Sequence, residues 1–269
     1  MKENPSLVIR AAAGSGERGF TLIDLMAVIA TVAILAALVL PALARTDDNG
    51  ARMVCMHNLR QMGMAENMYA GDNRDSLAFP NFDGGAGGSP PGWLYTVTNG
   101  VIPNPVDTLP WKTNPISAWR TGTWFQYVQN SKAYLCPVDI ESVTYRTPAG
   151  IGRSEKLSSY VMDGAVNDFP LNGNYPPPCK ITDVWSPACY LLWEPDENIE
   201  GAFAYNDGSN TANEGLGRLH SANSGNMLCI GGNVQFVTMQ TFQQQTVSPG
   251  TGPNGRTLSW WSPLSPSGH

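Results

Sequence analysis

The sequence predicts an α+β fold in which one long N-terminal helix packs on an antiparallel β-sheet with long loops. The first observation is an apolar, uncharged run over residues 25–44. The second is that apolar residues continue beyond this run with the spacing of one helix face, at Cys55, Leu59, Met62 and Tyr69. The third is a series of strand-like runs separated by loops rich in glycine and proline. A long helix followed by strands is typical of α+β domains.

The apolar run is long enough to cross a membrane. At about 1.5 Å of rise per residue, residues 25–44 would cover a bilayer core of about 30 Å. We therefore expect the helix to be transmembrane over residues 20–44 and to continue outside the membrane over residues 45–70. Residues 71–247 are expected to form the globular α+β domain.

Strand-like runs occur at residues 133–136, 159–162, 190–193, 226–230 and 234–238. The last two flank Gly231-Gly232-Asn233, which predicts a tight hairpin because glycine and asparagine reach positive φ at low cost. A short helix is predicted over residues 117–130.

The last segment, residues 248–269, is rich in proline and glycine and is predicted to be a tail. Trp260-Trp261 is unusual in such a tail. We expect this pair to dock either back onto the domain or onto a neighbouring subunit.

A short motif precedes the apolar helix. Residues 19–24 read Gly-Phe-Thr-Leu-Ile-Asp, which resembles the processing motif of type IV prepilins and of the pseudopilins of type II secretion systems. The resemblance implies a pilin-like lollipop fold and a leader, residues 1–19, that a prepilin peptidase removes by cutting after Gly19. It also implies N-methylation of Phe20, the new N-terminal residue.

The same resemblance assigns roles to Asp24 and Pro41. An ionised side chain at the centre of a membrane helix costs about 2.5 to 3.5 kcal/mol and usually finds a partner. In the family, an acid at the position of Asp24 pairs with the terminal amine of an adjacent subunit; the alternative is an acid that snorkels to the membrane surface. Pro41 stands where many members carry a proline that loosens the helix.

A second resemblance, to a large bacterial family of prepilin-type proteins, covers parts of the rest of the chain. The matching segments are residues 55–63 (Cys-Met-His-Asn-Leu-Arg-Gln-Met-Gly), 69–73, 135–139, 159–160 and 181–184. Members often close with a histidine, about nine residues and Asp-Gly. Here His220 is followed by a longer spacing, and Gly231 replaces the aspartate.

Together these resemblances imply a structural subunit rather than an enzyme. It would be held in the bacterial inner membrane by a single span, with its C-terminal domain periplasmic or extracellular. It would assemble through its helix into a periplasmic pseudopilus or type IV pilus-like fibre linked to protein secretion. The implied partners are the prepilin peptidase and methyltransferase, other pilin or pseudopilin subunits, the secretion assembly platform and the lipid membrane.

Two alternatives use the same N-terminal segment differently. A secretory signal peptide cut after Ala44 would release a soluble domain that begins at Arg45. A binding protein could instead use the helix only as an anchor and present its domain to a ligand. A GxGxxG pattern at residues 14–19 is treated as chance, because no strand precedes it and no amphipathic helix follows it.

Composition and motifs exclude several function classes. The net charge of −6 gives no electrostatic footprint for nucleic acid. The sequence has no HExxH, GxSxG or Walker motif, so no catalytic residue and no cofactor is predicted. Residues 207–214 loosely resemble a calcium loop but lack its full spacing. We therefore expect a solvated loop there. His220 is expected to hold a turn.

Five cysteines are present, and no two form a CxxC pair, so no metal site is predicted. Outside the cytoplasm disulfides are permitted. Cys179 could pair with Cys189, and Cys55 could pair with Cys136, although the connectivity stays open. Cys229 lies in an apolar strand pattern and is expected to be buried.

Overall fold

The structure is a computed structural model of the 269-residue chain. It describes residues 21–84, 88–148, 153–170, 174–196, 198, 205–247 and 249–268, and for residues 38–48 it describes the helical backbone only. The chain divides into two compact units, Met1–Thr46 and Asp47–His269. The predicted leader, its cleavage residue Gly19 and Phe20 lie outside the described residues.

The first helix, α1 (Leu22–Asp72), is by far the longest element. The helix is continuous across Pro41, the residue at which the family resemblance implies a loosened helix. Within the part of the chain that the structure describes, no helix combines the length and apolarity that a membrane crossing requires.

A reciprocal hydrogen-bonded cap starts α1. The Asp24 Oδ2 atom accepts from the Thr21 backbone N–H at 2.9 Å and from its hydroxyl at 2.7 Å, while Thr21 Oγ1 accepts from the Asp24 N–H at 3.2 Å. This is the arrangement of a capping box, which satisfies donors that helix geometry leaves unpaired. Asp24 therefore has a partner within its own helix that the sequence analysis did not predict.

The other helices are α2 (Ile116–Trp119), α3 (Phe125–Val128), α4 (Val143–Arg146) and α5 (Met239–Gln245). Short 3-10 helices lie at Ser131–Tyr134, Asp139–Glu141, Gly164–Asn167, Ile181–Asp183, Ala212–Glu214 and Pro253–Gly255. The helix predicted over residues 117–130 is thus two short helices. Gly122 separates them, and a side chain there would collide with the Leu94 carbonyl.

One five-stranded sheet forms the centre of the second unit. Its strands are β1 (Val161–Asp163), β2 (Tyr190–Trp193), β3 (Ser209–Asn210), β4 (Ser224–Cys229) and β5 (Val234–Thr238), in the spatial order β3-β1-β2-β4-β5. Three pairings are antiparallel, but β3 runs parallel to β1. The α+β class is confirmed, whereas the prediction of a wholly antiparallel sheet is wrong because the chain returns from β2 to the far side of β1.

The predicted strands at residues 190–193 and 234–238 are confirmed, and those at 226–230 and 159–162 are shifted by one or two residues. The prediction at residues 133–136 is wrong. The side chain of Asn130 accepts a hydrogen bond from the Lys132 N–H and starts the 3-10 helix Ser131–Tyr134 instead.

The predicted hairpin joins β4 to β5. Gly232 has a φ of +80°, and the Cys229 N–H donates to the Asn233 carbonyl at 2.9 Å. Glycine is favoured at this position because residues with a Cβ adopt a positive φ only at a cost in free energy.

The second half of α1 covers this sheet. Cys55, Leu59 and Met62 on the predicted face are fully buried. Gly63 permits the close approach, because an added Cβ would lie 2.9 Å from Leu228 Cδ1 and 3.4 Å from the Gly232 Cα. The helix therefore lies directly on the β4–β5 hairpin.

The C-terminal segment contributes to the core of the second unit. Trp261 is fully buried, and its indole N–H donates to the Tyr190 carbonyl at 2.8 Å and to Asp163 Oδ2 at 3.2 Å. Trp260 donates to the Thr246 carbonyl at 3.0 Å. The tryptophan pair thus docks onto its own domain.

Glu66 is a buried acid on α1. Its side chain accepts a hydrogen bond from the Ala78 N–H at 3.1 Å, and burial raises its pKa from 4.5 to about 8. The folded state therefore keeps a proton that the unfolded chain releases between these two values. The free energy of unfolding must fall as the pH rises through that window.

We predict that Glu66→Gln removes this pH-dependent loss. The variant should match the wild type near pH 5 and exceed its unfolding free energy near pH 8 by on the order of a few kcal/mol. Urea unfolding at pH 5, 6.5 and 8 would measure this. Glu141→Gln, at an exposed acid, is the control. Identical pH slopes for Glu66→Gln and the wild type would contradict the prediction.

Candidate metal centre

Four side chains of metal-binding type meet in the second unit. They are Cys55, Cys136, Glu194 and His220, and one ligand atom from each lies within 4.8 Å of those of the other three. Four separate segments supply them: α1, the turn after Ser131–Tyr134, the residue that follows β2, and the loop before β4.

The imidazole of His220 is central to this cluster. Its Nε2 atom lies 3.3 Å from Cys136 Sγ and 3.4 Å from Glu194 Oε1. The side chains of His220 and Glu194 are each only 1% exposed, and both thiols are fully buried. The site is therefore closed to solvent.

Backbone hydrogen bonds fix Cys136 beside α1. The Cys136 N–H donates to Ser159 Oγ at 2.8 Å. Asn58, one helical turn after Cys55, donates from Nδ2 to the Leu135 carbonyl at 3.0 Å. The two cysteines are therefore brought together by polar contacts of their neighbours.

A close loop contact fixes Glu194 and His220. The Gly217 N–H donates to the Glu194 carbonyl at 2.6 Å, and a Cβ at Gly217 would lie 2.8 Å from the carbonyl oxygens of Glu194 and Pro195. The Trp193 indole donates to the Gly215 carbonyl at 2.9 Å. These contacts hold the loop that carries His220 against the end of β2.

A buried ion pair stands behind Cys136. The Asp139 carboxylate accepts from Arg153 at 2.7 and 3.1 Å and from the Ser159 hydroxyl at 2.5 Å. The guanidinium also lies 3.9 Å from the ring centroid of Tyr205. Ser159 thus links this ion pair to the backbone of Cys136.

The charges in the cluster are unevenly compensated. Neither oxygen of Glu194 accepts a well-aligned hydrogen bond from a residue that the structure describes, and its contact with His220 Nε2, at 3.4 Å, is an ion-pair contact. Burial raises the pKa of the Cys136 thiol. Burial alone would lower the pKa of His220, but its contacts with Cys136 and Glu194 outweigh burial and raise that pKa to about 10. A thiol with a raised pKa inside a closed site is poorly suited to be a nucleophile.

The donor set points instead to metal binding. Two sulfurs, one nitrogen and one carboxylate oxygen are ligand types found in four-coordinate zinc sites. The sequence predicts no metal site, because these four residues share no short motif. Their only signal was indirect: Cys55, Cys136 and His220 lie in the segments that resemble the prepilin-type family.

The predicted disulfides are not formed in the structure, where all five cysteines are free and buried. Cys55 and Cys136 do lie together, but as thiols beside Glu194 and His220. Cys179 and Cys189 are held by different segments. The Cys179 N–H donates to the Val166 carbonyl at 2.9 Å, whereas the Cys189 carbonyl accepts from Ile230 at 2.8 Å.

In the loop at residues 207–214, the first acid, Asp207, is hydrogen-bonded to backbone groups of the protein. Asp207 accepts hydrogen bonds from the backbone N–H groups of Asp83 at 2.9 Å, Gly84 at 2.6 Å and Ser209 at 2.9 Å. Its carboxylate therefore ties two loops together. Glu214 completes a capping box with Thr211.

Comparisons of the chain with models of protein families, with curated proteins and with solved structures found no match.

We predict that the Asp139–Arg153 pair contributes strongly to stability. Asp139→Ala would remove the carboxylate that binds the buried Arg153 guanidinium through two hydrogen bonds, and should lower the free energy of unfolding by about 3–5 kcal/mol. The matched control is Glu141→Ala, whose partner Arg146 is exposed and whose own side chain is 63% exposed. Its loss should cost at most about 1 kcal/mol. Denaturant unfolding of both variants tests this, and equal losses would refute it.

Proposed function

We propose that this chain is a membrane-anchored, pilin-like structural subunit. Its leader, residues 1–19, is removed after Gly19, and the new terminal residue Phe20 is methylated. The mature chain then assembles through α1 into a periplasmic pseudopilus or pilus-like fibre linked to protein secretion. The peptidase, the assembly platform and the other subunits are separate chains.

The observation that carries the proposal is the continuity between motif and helix. Residues 19–24 match the processing motif, and α1 begins inside that motif at Leu22 and extends to Asp72. The later part of the same helix covers the sheet. One element thus joins the segment that would be processed to the folded domain, which is the feature that a pilin-like lollipop requires.

The exposed surface of the first unit also supports the proposal. All residues from 21 to 37 are exposed, and large apolar side chains are among them. Leu22 is 74% exposed, Ile23 76% and Ile34 61%. Apolar side chains on a helix surface need a nonaqueous neighbour. Lipid before assembly, and other copies of α1 afterwards, would supply one.

Asp24 would change partners on assembly. In the single chain its carboxylate accepts from Thr21 at the start of α1. In the mature subunit Thr21 would be the second residue, so this cap lies at the new terminus. The Phe20 amine of a neighbouring subunit would then compete for the same carboxylate and fix the axial offset between helices.

The decisive experiment is the intact mass and N-terminal sequence of the protein from its native membrane fraction. We expect a chain that begins at Phe20 and carries one added methyl group. Gly19→Val should keep the leader, whereas Gly16→Val, a leader glycine away from the cut, should be processed as in the wild type. A chain that begins at Arg45 would show a secreted domain and overturn the proposal. An intact Met1 would show a plain anchor and overturn it as well.

We further expect Asp24→Asn to separate processing from assembly. An asparagine at position 24 keeps a side-chain oxygen that can accept the hydrogen bonds from Thr21 but carries no charge. The variant should therefore be cut after Gly19, yet crosslinking between subunits in membranes should fall sharply. Asp24→Glu, which keeps the charge, should retain crosslinking. Undiminished crosslinking in Asp24→Asn would exclude the charge pair as the assembly contact.

A further inference from the structure

We propose that Cys55, Cys136, Glu194 and His220 together bind one Zn²⁺ ion, which joins α1 to the sheet and its loops. The site lies wholly within the second unit. It is therefore independent of whether the leader is cut or a fibre forms.

The spacing of the ligand atoms matches tetrahedral coordination. Zinc–ligand bonds of about 2.0–2.1 Å to nitrogen and oxygen and 2.3 Å to sulfur give tetrahedral edges of about 3.6 Å for N–S and about 3.4 Å for N–O. The observed separations from His220 Nε2 are 3.3 Å to Cys136 Sγ and 3.4 Å to Glu194 Oε1. The Cys55 thiol lies within 4.8 Å of the other three ligand atoms and would be the fourth ligand.

The environment of the Glu194 carboxylate also favours a bound cation. The side chain of Glu194 is 1% exposed, and neither of its oxygens accepts a well-aligned hydrogen bond from a described residue. Its ion-pair contact is the His220 imidazole, whose Nε2 lies 3.4 Å from Oε1. A carboxylate in such surroundings is costly unless a positive charge or a donor compensates it. A divalent ion bound between the carboxylate and two thiolates would provide that compensation. Binding would release the thiol protons and the Nε2 proton of His220 to solvent.

The ligand types select the metal. Thiolates are poor ligands for calcium and magnesium, whereas a mixed set of sulfur, nitrogen and oxygen in tetrahedral array suits zinc. The four protein ligands fill the coordination sphere, and burial leaves no position for a substrate. The ion would therefore be structural.

Such an ion would replace the disulfide that the sequence suggested for Cys55 and Cys136. A disulfide would join two segments, whereas a zinc ion would join four. It would anchor α1, the helix through which the proposed fibre assembles, to β2 and to the loop before β4.

The test uses the full-length chain in detergent, incubated with Zn²⁺ and then dialysed extensively. Elemental analysis should find one zinc per chain. Co²⁺ in place of zinc should give the intense visible absorption of a tetrahedral site and the charge-transfer bands of thiolate ligands. Cys136→Ser and Glu194→Gln should each weaken binding by at least about 100-fold, since even residues behind the ligands cost 10–100-fold. Cys229→Ser, at a buried thiol outside the cluster, is the control and should bind like the wild type.

The wild-type cobalt spectrum tests the proposal even if a ligand variant fails to fold, because it reports the thiolates directly. A wild-type chain without stoichiometric zinc would overturn the proposal. So would a folded Cys136→Ser variant with an unchanged cobalt spectrum. A Cys55–Cys136 disulfide in protein from native membranes, seen as a mass loss of two hydrogens, would overturn it in favour of the covalent link.

Discussion

The close packing of α1 on the β4–β5 hairpin is the contact on which the other features of the folded unit depend. Gly63 lets the helix backbone approach Leu228 and Gly232, so the face that carries Cys55, Leu59 and Met62 is sealed against the sheet. The same approach buries Glu66 and places Cys55 among partners from three distant segments. A side chain at position 63 would press against Leu228, whose terminal methyl would have to move, because protein interiors are close-packed.

Charged side chains are buried at several places in the second unit, and they are stabilised in different ways. Asp139 and Arg153 neutralise each other in bidentate geometry, and Lys156 lies 2.7 Å from Asp107. Glu66 forms no ion pair with any residue that the structure describes, and burial raises its pKa instead. Glu194 differs from all of these, since it faces two thiols and an imidazole. That difference distinguishes a ligand set from an ordinary structural ion pair.

Local patterns predicted the elements that local physics controls. The strands at residues 190–193 and 234–238 and the turn at Gly232 follow from alternation and from the conformational freedom of glycine. The prediction at residues 133–136 failed because the Asn130 side chain caps a turn, which outweighs apolar composition. The parallel pairing of β3 was unpredictable from two residues, since its stability comes from the neighbouring strand β1.

The sequence by itself determined the long helix, its buried face and the segment that resembles a processing motif, because a 3.6-residue period and a contiguous motif are properties of neighbouring residues. Only the tertiary structure decided where Trp261 docks and which side chains surround Cys55. Cys136 and His220 are 84 positions apart, and their contact depends on strand order and loop packing together. The folded sheet sets these contacts, and no periodic pattern in the sequence predicts them.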